Sequence, residues 1–272
     1  MKWIYIKKGI KLLFVGEWRR VYNEVHAIIY RAVYEWIGFF AMPLRKTGRK
    51  RVEPSIEVIT QYPIAFESPD HIAPKGTAEN NSTNKKFILH MDRLLSNSFP
   101  KQTLNVLDLG CSGGQMINDF LNLCWVGVGL EGSDYSLKRK RANWGTLANR
   151  NLFTCDITKP FQVNFDKSKA KFHLITAWEV LEHIATPDLL QLFRNISDHL
   201  EVGGCFIAST TPTPDIHEGI ELHQTKWENE QWRNFVETNF PELEYADVGL
   251  KIYQYVRYNL LHPSFLIYRK RR

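Results

Sequence analysis

The sequence predicts an α/β fold in which a doubly wound, mostly parallel, seven-stranded sheet follows an N-terminal helical extension. Beyond Pro100, strand-like apolar runs alternate with helical stretches, and a glycine-rich turn follows the first run. Alternation on this scale builds a parallel sheet that helices cover on both faces. A concentration of basic residues near the N-terminus marks the extension as a separate region.

Five apolar runs have the length and composition of buried strands: Asn105 to Leu109, Trp125 to Leu130, Leu152 to Cys155, Phe172 to Ala177 and Gly204 to Ser209. Helical stretches lie between them: Gly114 to Leu123, Ser136 to Trp144 and Pro187 to Leu200. Thr186 is the predicted N-cap of the last helix, with Pro187 at its first position. A terminal antiparallel pair is predicted from two late runs, Leu243 to Val248 and Ile252 to Tyr258.

The 272 residues, 44% of them hydrophobic, are enough for one large domain with an extension. We predict a basic amphipathic helical extension over residues 1–51, a loop and helix that cover a site over 52–100, and the α/β domain over 101–272. Prolines and the stretch "KGTAENNSTN" predict ordered loop for residues 53–83. The helix after it begins near Ser82 or Thr83 and carries one apolar face: Phe87, Ile88, Met91, Leu94 and Leu95.

The extension holds most of the positive charge. Residues 1–51 carry twelve Lys or Arg against three Glu, a net +9, whereas the rest of the chain is −3. Apolar residues from Val21 to Phe40 recur at helical spacing and predict an amphipathic helix that ends near Met42. Such a helix packs against the body or a partner subunit, or lies on an anionic membrane surface. The apolar run Trp36 to Leu44 is about half of the roughly 20 residues that span a bilayer.

The cysteines and the N-terminus predict a cytoplasmic location, with peripheral contact at the inner face of the membrane. The four cysteines are far apart and form no CxxC or metal-finger spacing, which indicates buried free thiols in a reducing compartment. Lys7, Lys8 and Lys11 interrupt any apolar core of a signal peptide, and no small-residue cleavage site follows.

The stretch "VLDLGCSGGQM", Val106 to Met116, places an acid at the end of a strand and glycines in the turn after it. In doubly wound sheets, ligands bind at the carboxyl ends of the strands. Gly110, Gly113 and Gly114 allow the backbone to approach a ligand closely and present amides at a helix N-terminus. The dinucleotide fingerprint GxGxxG is not met, and a Walker lysine is absent.

This acid followed by GxxGG resembles the first motif of the class I S-adenosylmethionine-dependent methyltransferases. The resemblance extends from Asn105 to Ser209 and includes "FTCDIT", "AWEVLEHI" and "LEVGG" in the family's order. It implies that Glu131, or its rival Asp134, accepts hydrogen bonds from the ribose hydroxyls. It also implies that Asp156 meets the adenine amino group, with Cys155 and Ile157 flanking the ring. The implied cofactor site comprises Asp108, Gly110, Cys111, Ser112, Gly113, Gly114, Glu131, Asp156, Ile157 and Trp178.

The stretch "EVLEHI" carries the predicted chemistry. Glu179, Glu182 and His183 stand at positions i, i+3 and i+4, which share one face of a helical turn. Methyl transfer to a hydroxyl requires removal of its proton, so His183 and Glu182 are the predicted catalytic residues.

The pattern EVxEH followed by His223 and, four residues later, Trp227 resembles a metal-using subset of the family. This subset comprises the ubiquinone-biosynthesis O-methyltransferases and the small-RNA 3′-terminal ribose methyltransferases. The resemblance implies an ion such as Mg²⁺ or Mn²⁺ on Glu179, Glu182, His183 and His223, with His217 as a substitute for His223. The alternative needs no metal, because "LEH" also occurs in methyltransferases where the histidine orients substrate or acts as the base.

The leading functional prediction is O-methylation of a sugar hydroxyl of a glycan or glycolipid precursor. The loop "SPDHIAPKGTAENN", which contains His71, resembles methyltransferases encoded with bacterial surface-glycan enzymes. One alternative is RNA ribose 2′-O-methylation, which the net acidic body disfavours because phosphate contacts need basic surface. A second alternative is a non-catalytic cofactor-binding subunit whose N-terminal helix docks a partner. Oligomeric state is not predicted.

Overall fold

A computed structural model describes residues 50–251, 254–256 and 264–271 of the chain. The amphipathic helix predicted within residues 1–51 lies outside these ranges. Within the described ranges, no helix combines the length and the apolar character that crossing a bilayer requires.

The strands, in chain order, are β1 (Ile56–Thr60), β2 (Asn105–Leu109), β3 (Val126–Glu131), β4 (Leu152–Thr154), β5 (Phe161–Phe165), β6 (Ser168–Lys169), β7 (Phe172–Trp178), β8 (Leu200–Thr210), β9 (Ile216–His217), β10 (Ile220–Glu221), β11 (Leu243–Tyr245) and β12 (Ser264–Lys270). The helices are α1 (Pro69–Ile72), α2 (Lys75–Glu79), α3 (Lys85–Ser98), α4 (Gln115–Leu121), α5 (Tyr135–Lys138), α6 (Trp144–Leu147), α7 (Leu189–His199) and α8 (Asn229–Asn239). Two 3₁₀ turns, Leu181–His183 and Thr186–Asp188, precede α7.

The central sheet has seven strands in the order β11-β12-β8-β7-β2-β3-β4. Strands β8, β7, β2, β3 and β4 pair in parallel, whereas β12 pairs antiparallel with both β8 and β11. The predicted doubly wound, mostly parallel, seven-stranded sheet is confirmed. Its central strands β2 and β7 are apolar and buried almost throughout, because helices cover both faces. The carboxyl ends of the parallel strands therefore meet at one edge.

The segment before this domain contains a strand that the sequence analysis placed in a loop. Strand β1 pairs antiparallel with β5, which pairs with β6 in a separate three-stranded sheet. Ile56 lies opposite Phe165, more than a hundred residues away in the chain. The loop prediction for residues 53–83 is wrong at β1 because its partner is not local.

Three further predictions are corrected. The helix predicted over 136–144 is two short helices, α5 and α6, because Lys140 and Ala142 adopt left-handed backbone angles with φ of 48° each. Thr186 is not an N-cap but begins a 3₁₀ turn, and its hydroxyl bonds to Thr225 Oγ1 at 3.0 Å. The partner of β11 is β12, and residues 254–256 of the predicted strand 252–258 are not extended in a sheet.

Helix α3 closes one side of the core. Asn84 is its N-cap, and its side chain accepts a hydrogen bond from the Lys86 amide at 3.0 Å. The predicted apolar face is buried, except that Leu94 is only half-buried: Phe87, Ile88, Met91 and Leu95. Through this face the helix packs into the hydrophobic core beside the central sheet.

Candidate cofactor and acceptor site

A cavity of about 840 Å³ lies at the carboxyl edge of the central sheet. One wall is formed by the residues that follow β2, β3, β4 and β7. The opposite wall belongs to residues 61–83, between β1 and α3, which we name the cover segment. This size and position match those of small-molecule sites in α/β folds.

Eight of the predicted cofactor residues line this cavity: Asp108, Gly110, Cys111, Ser112, Glu131, Asp156, Ile157 and Trp178. Gly113 and Gly114 do not reach the wall. A Cβ on Gly113 would lie 2.2 Å from Asn81 Oδ1, and one on Gly114 would lie 2.5 Å from Leu152 Cδ1. These two glycines therefore allow close packing behind the turn, which their spacing in the sequence could not distinguish from ligand contact.

The residues at the front of the turn are also closely packed against their neighbours. Gly110 has φ of 69°, and a Cβ there would lie 2.4 Å from Val180 Cγ2. Trp144 Nε1 donates to the Ser112 carbonyl at 2.6 Å. Asp108 accepts a 2.7 Å hydrogen bond from the buried Thr176 hydroxyl. The turn is therefore held by the neighbouring strand and helix as well as by its own glycines.

Glu131 is held at the end of β3 by backbone amides. Its Oε2 accepts from Ser112 N at 2.7 Å, and its Oε1 lies 3.5 Å from Ser133 N. Burial raises the pKa of Glu131, the Asp70 carboxylate raises it further, and the two amides oppose the increase. The rival Asp134 does not line the cavity and instead pairs with Lys138 at 2.8 Å.

Asp156 begins the turn after β4. Its Oδ1 accepts from the Thr158 amide at 2.9 Å and from the Thr158 hydroxyl at 2.6 Å. Ile157 lines the cavity, but Cys155 is fully buried in the core and does not flank the site. Burial raises the pKa of the Cys155 thiol to about 12, and Asp156 adds to the increase.

The cover segment is hydrogen-bonded to the cofactor side of the cavity. Ala65 N donates to Gly132 O at 2.9 Å, and Asp156 N donates to Tyr62 O at 2.9 Å. The Ser112 hydroxyl donates to Asn80 O, which also accepts from Arg141 Nη2 at 3.0 Å. The segment is thus attached at the ends of three strands.

The stretch "EVLEHI" follows β7 as a left-handed residue and a 3₁₀ turn. Glu179 has φ of 54°, and its carboxylate accepts a 2.7 Å hydrogen bond from Ser209 Oγ. Glu182 is fully buried, and neither carboxylate oxygen has a hydrogen-bond partner among the described residues. The Thr210 hydroxyl lies beside it and favours the charged form, although their geometry falls short of a hydrogen bond.

Burial raises the pKa of Glu182 to about 8, and Glu179 adds to the increase while His183 opposes it. Burial alone would lower the pKa of His183, but Asp70, Glu182 and Glu179 raise it above its ordinary value. His183 Nδ1 lies 2.8 Å from Asp70 Oδ2, at an angle outside strict hydrogen-bond geometry. The acidic surroundings therefore make the His183 imidazole a stronger base.

His223 completes the group. Its ring packs edge-on against His183 with centroids 4.7 Å apart, and its Nδ1 donates to Thr213 O. One ligand atom from each of Glu182, His183 and His223 lies within 4.8 Å of the others. Glu179 and the substitute His217 are outside this group, so the structure brings together three of the four predicted metal ligands. Asp70, which contacts His183, was not singled out from the sequence.

His71 also lines the cavity, where its ring packs edge-on against Phe66. Its neighbour Asp70 makes the contact with His183 instead. Asp70 and His71 are adjacent in the short helix "PDHI", and adjacent residues on a helical turn point in different directions. A helix predicted at this place would therefore have indicated that only one of the two side chains could face His183.

The fold and the site together define an S-adenosylmethionine-dependent methyltransferase. Residues 82–254 match a family model described as a methyltransferase domain, and the chain belongs to this family. The cofactor is therefore S-adenosylmethionine.

Two curated relatives are named ubiquinone biosynthesis O-methyltransferase. The protein from Parvibaculum lavamentivorans is 25% identical over 179 residues, which cover 62% of this chain and 68% of the relative. The protein from Cereibacter sphaeroides is 28% identical over 119 residues, which cover 44% of this chain and 46% of the relative. The solved S-adenosylmethionine-dependent methyltransferase from Clostridium acetobutylicum is 14% identical with a TM-score of 0.46, covering 73% of this chain and 94% of that one.

Proposed function

We propose that the protein is an O-methyltransferase that acts on a sugar hydroxyl of a glycan or glycolipid precursor. The observation that carries the proposal is the group formed by buried Glu182, partly buried His183 and buried His223 beside the cavity. A hydroxyl must lose its proton as it attacks the sulfonium methyl, and an imidazole at this place accepts that proton. The names of the two curated relatives support oxygen as the acceptor atom.

The cofactor lies along the ends of β2, β3 and β4 in this proposal. The front of the turn, Gly110 to Ser112, holds the methionine end, Glu131 accepts from the ribose hydroxyls, and Asp156 meets the adenine amino group with Ile157 against the ring. This placement is supported by the cavity, because all of these residues line it. In this placement, Trp178 lines the part of the cavity where the reacting methyl group lies.

The charges on the cavity wall disfavour an anionic acceptor. The wall carries eight Asp or Glu residues but only two lysines among the described residues, and each lysine is paired. Lys75 lies 3.1 Å from Asp215, and Lys159 lies 3.2 Å from Asp188. A nucleic acid needs cationic partners for its phosphates, so this wall disfavours the RNA alternative. A polyhydroxylated sugar finds many hydrogen-bond acceptors here.

A divalent cation fits the group Glu182, His183 and His223. The two carboxylate oxygens of Glu182 are buried without hydrogen-bond partners among the described residues, and His223 Nδ1 already donates to Thr213, which leaves Nε2 for a ligand. A Mg²⁺ or Mn²⁺ ion bound there would lower the pKa of a hydroxyl that it coordinates. In the metal-free form of the proposal, His183 takes the proton directly.

The test is a screen of acceptors with S-adenosylmethionine labelled in its methyl group, with and without Mg²⁺ or Mn²⁺. The arms are lipid-linked and free oligosaccharides, phenolic compounds and RNA. We expect label in a sugar methyl ether, and loss of transfer in His183→Gln. Transfer to a phenol or to RNA alone would contradict the sugar assignment. A protein that binds the cofactor but methylates no acceptor would support the non-catalytic alternative.

A further inference from the structure

The contact between Asp70 and His183 joins the cover segment to the proposed catalytic residue. Asp70 lies in α1, whose first residue is Pro69, and its Oδ2 is 2.8 Å from His183 Nδ1. The two side chains are mostly buried, with 27% and 17% of their surfaces exposed. The pair therefore lies largely out of water, where a contact between charged groups is stronger than at the surface.

The cover segment holds Asp70 in this place from both sides. Toward the cofactor, Ala65 is bonded to Gly132, and Asn80 is bonded to Ser112. Toward the acceptor side, Lys75 pairs with Asp215 at 3.1 Å in the loop after β8. The segment that carries Asp70 is thus attached both to the strand ends on the cofactor side and to the loop after β8 on the acceptor side.

The chemistry of the pair determines which imidazole nitrogen carries the proton. An ionised carboxylate only accepts hydrogen bonds, so His183 Nδ1 must carry a hydrogen when Asp70 contacts it. The neutral imidazole then has its lone pair on Nε2.

We propose that Asp70 is a positioning residue, which holds His183 as the Nδ1–H tautomer with Nε2 available to the acceptor. The inference rests on the proposed function. Because Asp70 belongs to the cover segment, His183 is correctly oriented only when that segment is seated over the cofactor. The reaction requires this orientation of the His183 ring in both forms of the proposal, because Nε2 either accepts the proton or binds the cation.

In the metal-free reaction, the acceptor oxygen forms a bond to the methyl carbon while the bond between that carbon and sulfur breaks. The acceptor hydroxyl proton moves to His183 Nε2. The products are the methyl ether, S-adenosylhomocysteine and an imidazolium beside the Asp70 carboxylate. The imidazolium then returns its proton to solvent, which restores the starting state.

The test compares Asp70→Asn with the wild-type protein by two measurements. The first is the ¹⁵N spectrum of histidine-labelled protein with S-adenosylmethionine, at a pH where imidazole is neutral, with His183 assigned from His183→Gln. We expect a protonated Nδ1 in the wild type and a mixture of tautomers in Asp70→Asn. The second is steady-state kinetics, where we expect kcat to fall on the order of 10- to 100-fold with the acceptor KM unchanged. Asp70→Glu, which keeps the carboxylate, should recover part of kcat.

The matched control is Lys75→Gln, which removes a different polar contact of the cover segment with the acceptor side. It should leave the His183 nitrogen spectrum unchanged. Equal spectral changes in Lys75→Gln and Asp70→Asn would overturn the inference. Displacement of the cover segment would then explain both changes, without a specific role for the Asp70 carboxylate. An unchanged spectrum and kcat in Asp70→Asn would also overturn it. If the wild type methylates no hydroxyl while the tautomer still depends on Asp70, the proposed function fails and the positioning role stands.

Discussion

The backbone amide of Ser112 donates a 2.7 Å hydrogen bond to Glu131 Oε2, which joins the glycine-rich turn after β2 to the end of β3. Two segments that lie nearly twenty residues apart in the chain thereby form one wall of the cavity. The Ser112 carbonyl is held in turn by Trp144 Nε1. The carboxylate of Glu131 is therefore oriented before any ligand arrives, which reduces the entropic cost of binding.

We expect Glu131→Gln to weaken S-adenosylmethionine binding about 10- to 100-fold, the effect of losing hydrogen bonds to a charged group. Titration calorimetry measures the dissociation constant directly. Glu230→Ala, at an exposed position in the first turn of α8, is the control and should bind as the wild type does. Equal affinity in Glu131→Gln and the control would remove Glu131 from the cofactor site.

Gly110→Ala should destabilise the fold by more than the approximately 1–3 kcal/mol of backbone strain alone. Its φ is 69°, and the new Cβ would also lie 2.4 Å from Val180 Cγ2. Urea unfolding measures the free-energy change.

Two controls separate these causes. Gly219 has φ of 82°, and a Cβ added there would meet nothing within 4 Å among the described residues, so Gly219→Ala shows strain only. Gly76→Ala has neither strain nor contact, and because Gly76 lies in α2 it should leave the free energy of unfolding unchanged or raise it by up to about 1 kcal/mol. If Gly110→Ala costs no more than Gly219→Ala, the contact with Val180 is unimportant.

His199 should make the protein less stable as the pH falls. Its Nε2 accepts from Val163 N at 3.1 Å, so its Nδ1 carries the proton that bonds to Asn195 O at 2.8 Å. Burial lowers the pKa of His199 in the folded protein. The unfolded chain therefore binds more protons below about pH 6.5, and stability is lost from there downward, by at most about 1.4 kcal/mol per pH unit.

The measurement is urea unfolding of the wild type and His199→Gln at several pH values from neutral to mildly acidic. Glu182 titrates with the opposite sign, because its folded-state pKa is raised, but it is present in both proteins. The difference between them isolates His199 and should shrink toward acidic pH. A constant difference would show that His199 does not titrate in the unfolding equilibrium.

Divalent cations should bind to Glu182, His183 and His223 if the metal form of the proposal holds. We expect a chelator to abolish methyl transfer and Mg²⁺ or Mn²⁺ to restore it. Glu182→Gln and His223→Ala should each weaken ion binding in calorimetry by at least about tenfold. His217→Ala is the control, because His217 lies on the same loop but outside the group. If activity survives both the chelator and Glu182→Ala, the metal form of the proposal is excluded and the metal-free form is supported.

Deleting residues 1–44 should release the protein from anionic liposomes and spare cofactor binding. Residues 1–51 carry a net charge of +9, and lysine or arginine near such a surface contributes about 1 kcal/mol each. Liposome flotation measures the bound fraction, with neutral liposomes as the control. A full-length protein that never binds anionic liposomes would exclude the membrane role of the extension.

The central sheet could be predicted because its strands are local apolar runs bounded by glycine, acid or proline. Strand β2 was predicted with its observed bounds, and β3 and β7 within one residue. Strand β1 was missed because its partner β5 lies far along the chain. The helix predicted over residues 136–144 was wrong because left-handed residues at 140 and 142 interrupt a pattern that otherwise has helical spacing.

Local patterns in the amino-acid sequence were enough to predict the α/β class and most of the cavity wall at the strand ends, because these patterns recur at fixed places in the fold. The cofactor was implied by the resemblance of these motifs to a methyltransferase family. Three contacts became visible only in the folded chain: Gly113 packs against Asn81, Glu179 bonds to Ser209, and Asp70 reaches His183. Each of them joins segments that are distant in the chain. Their geometry arises when the cover segment packs across the edge of the sheet and when β7 and β8 pair beside it.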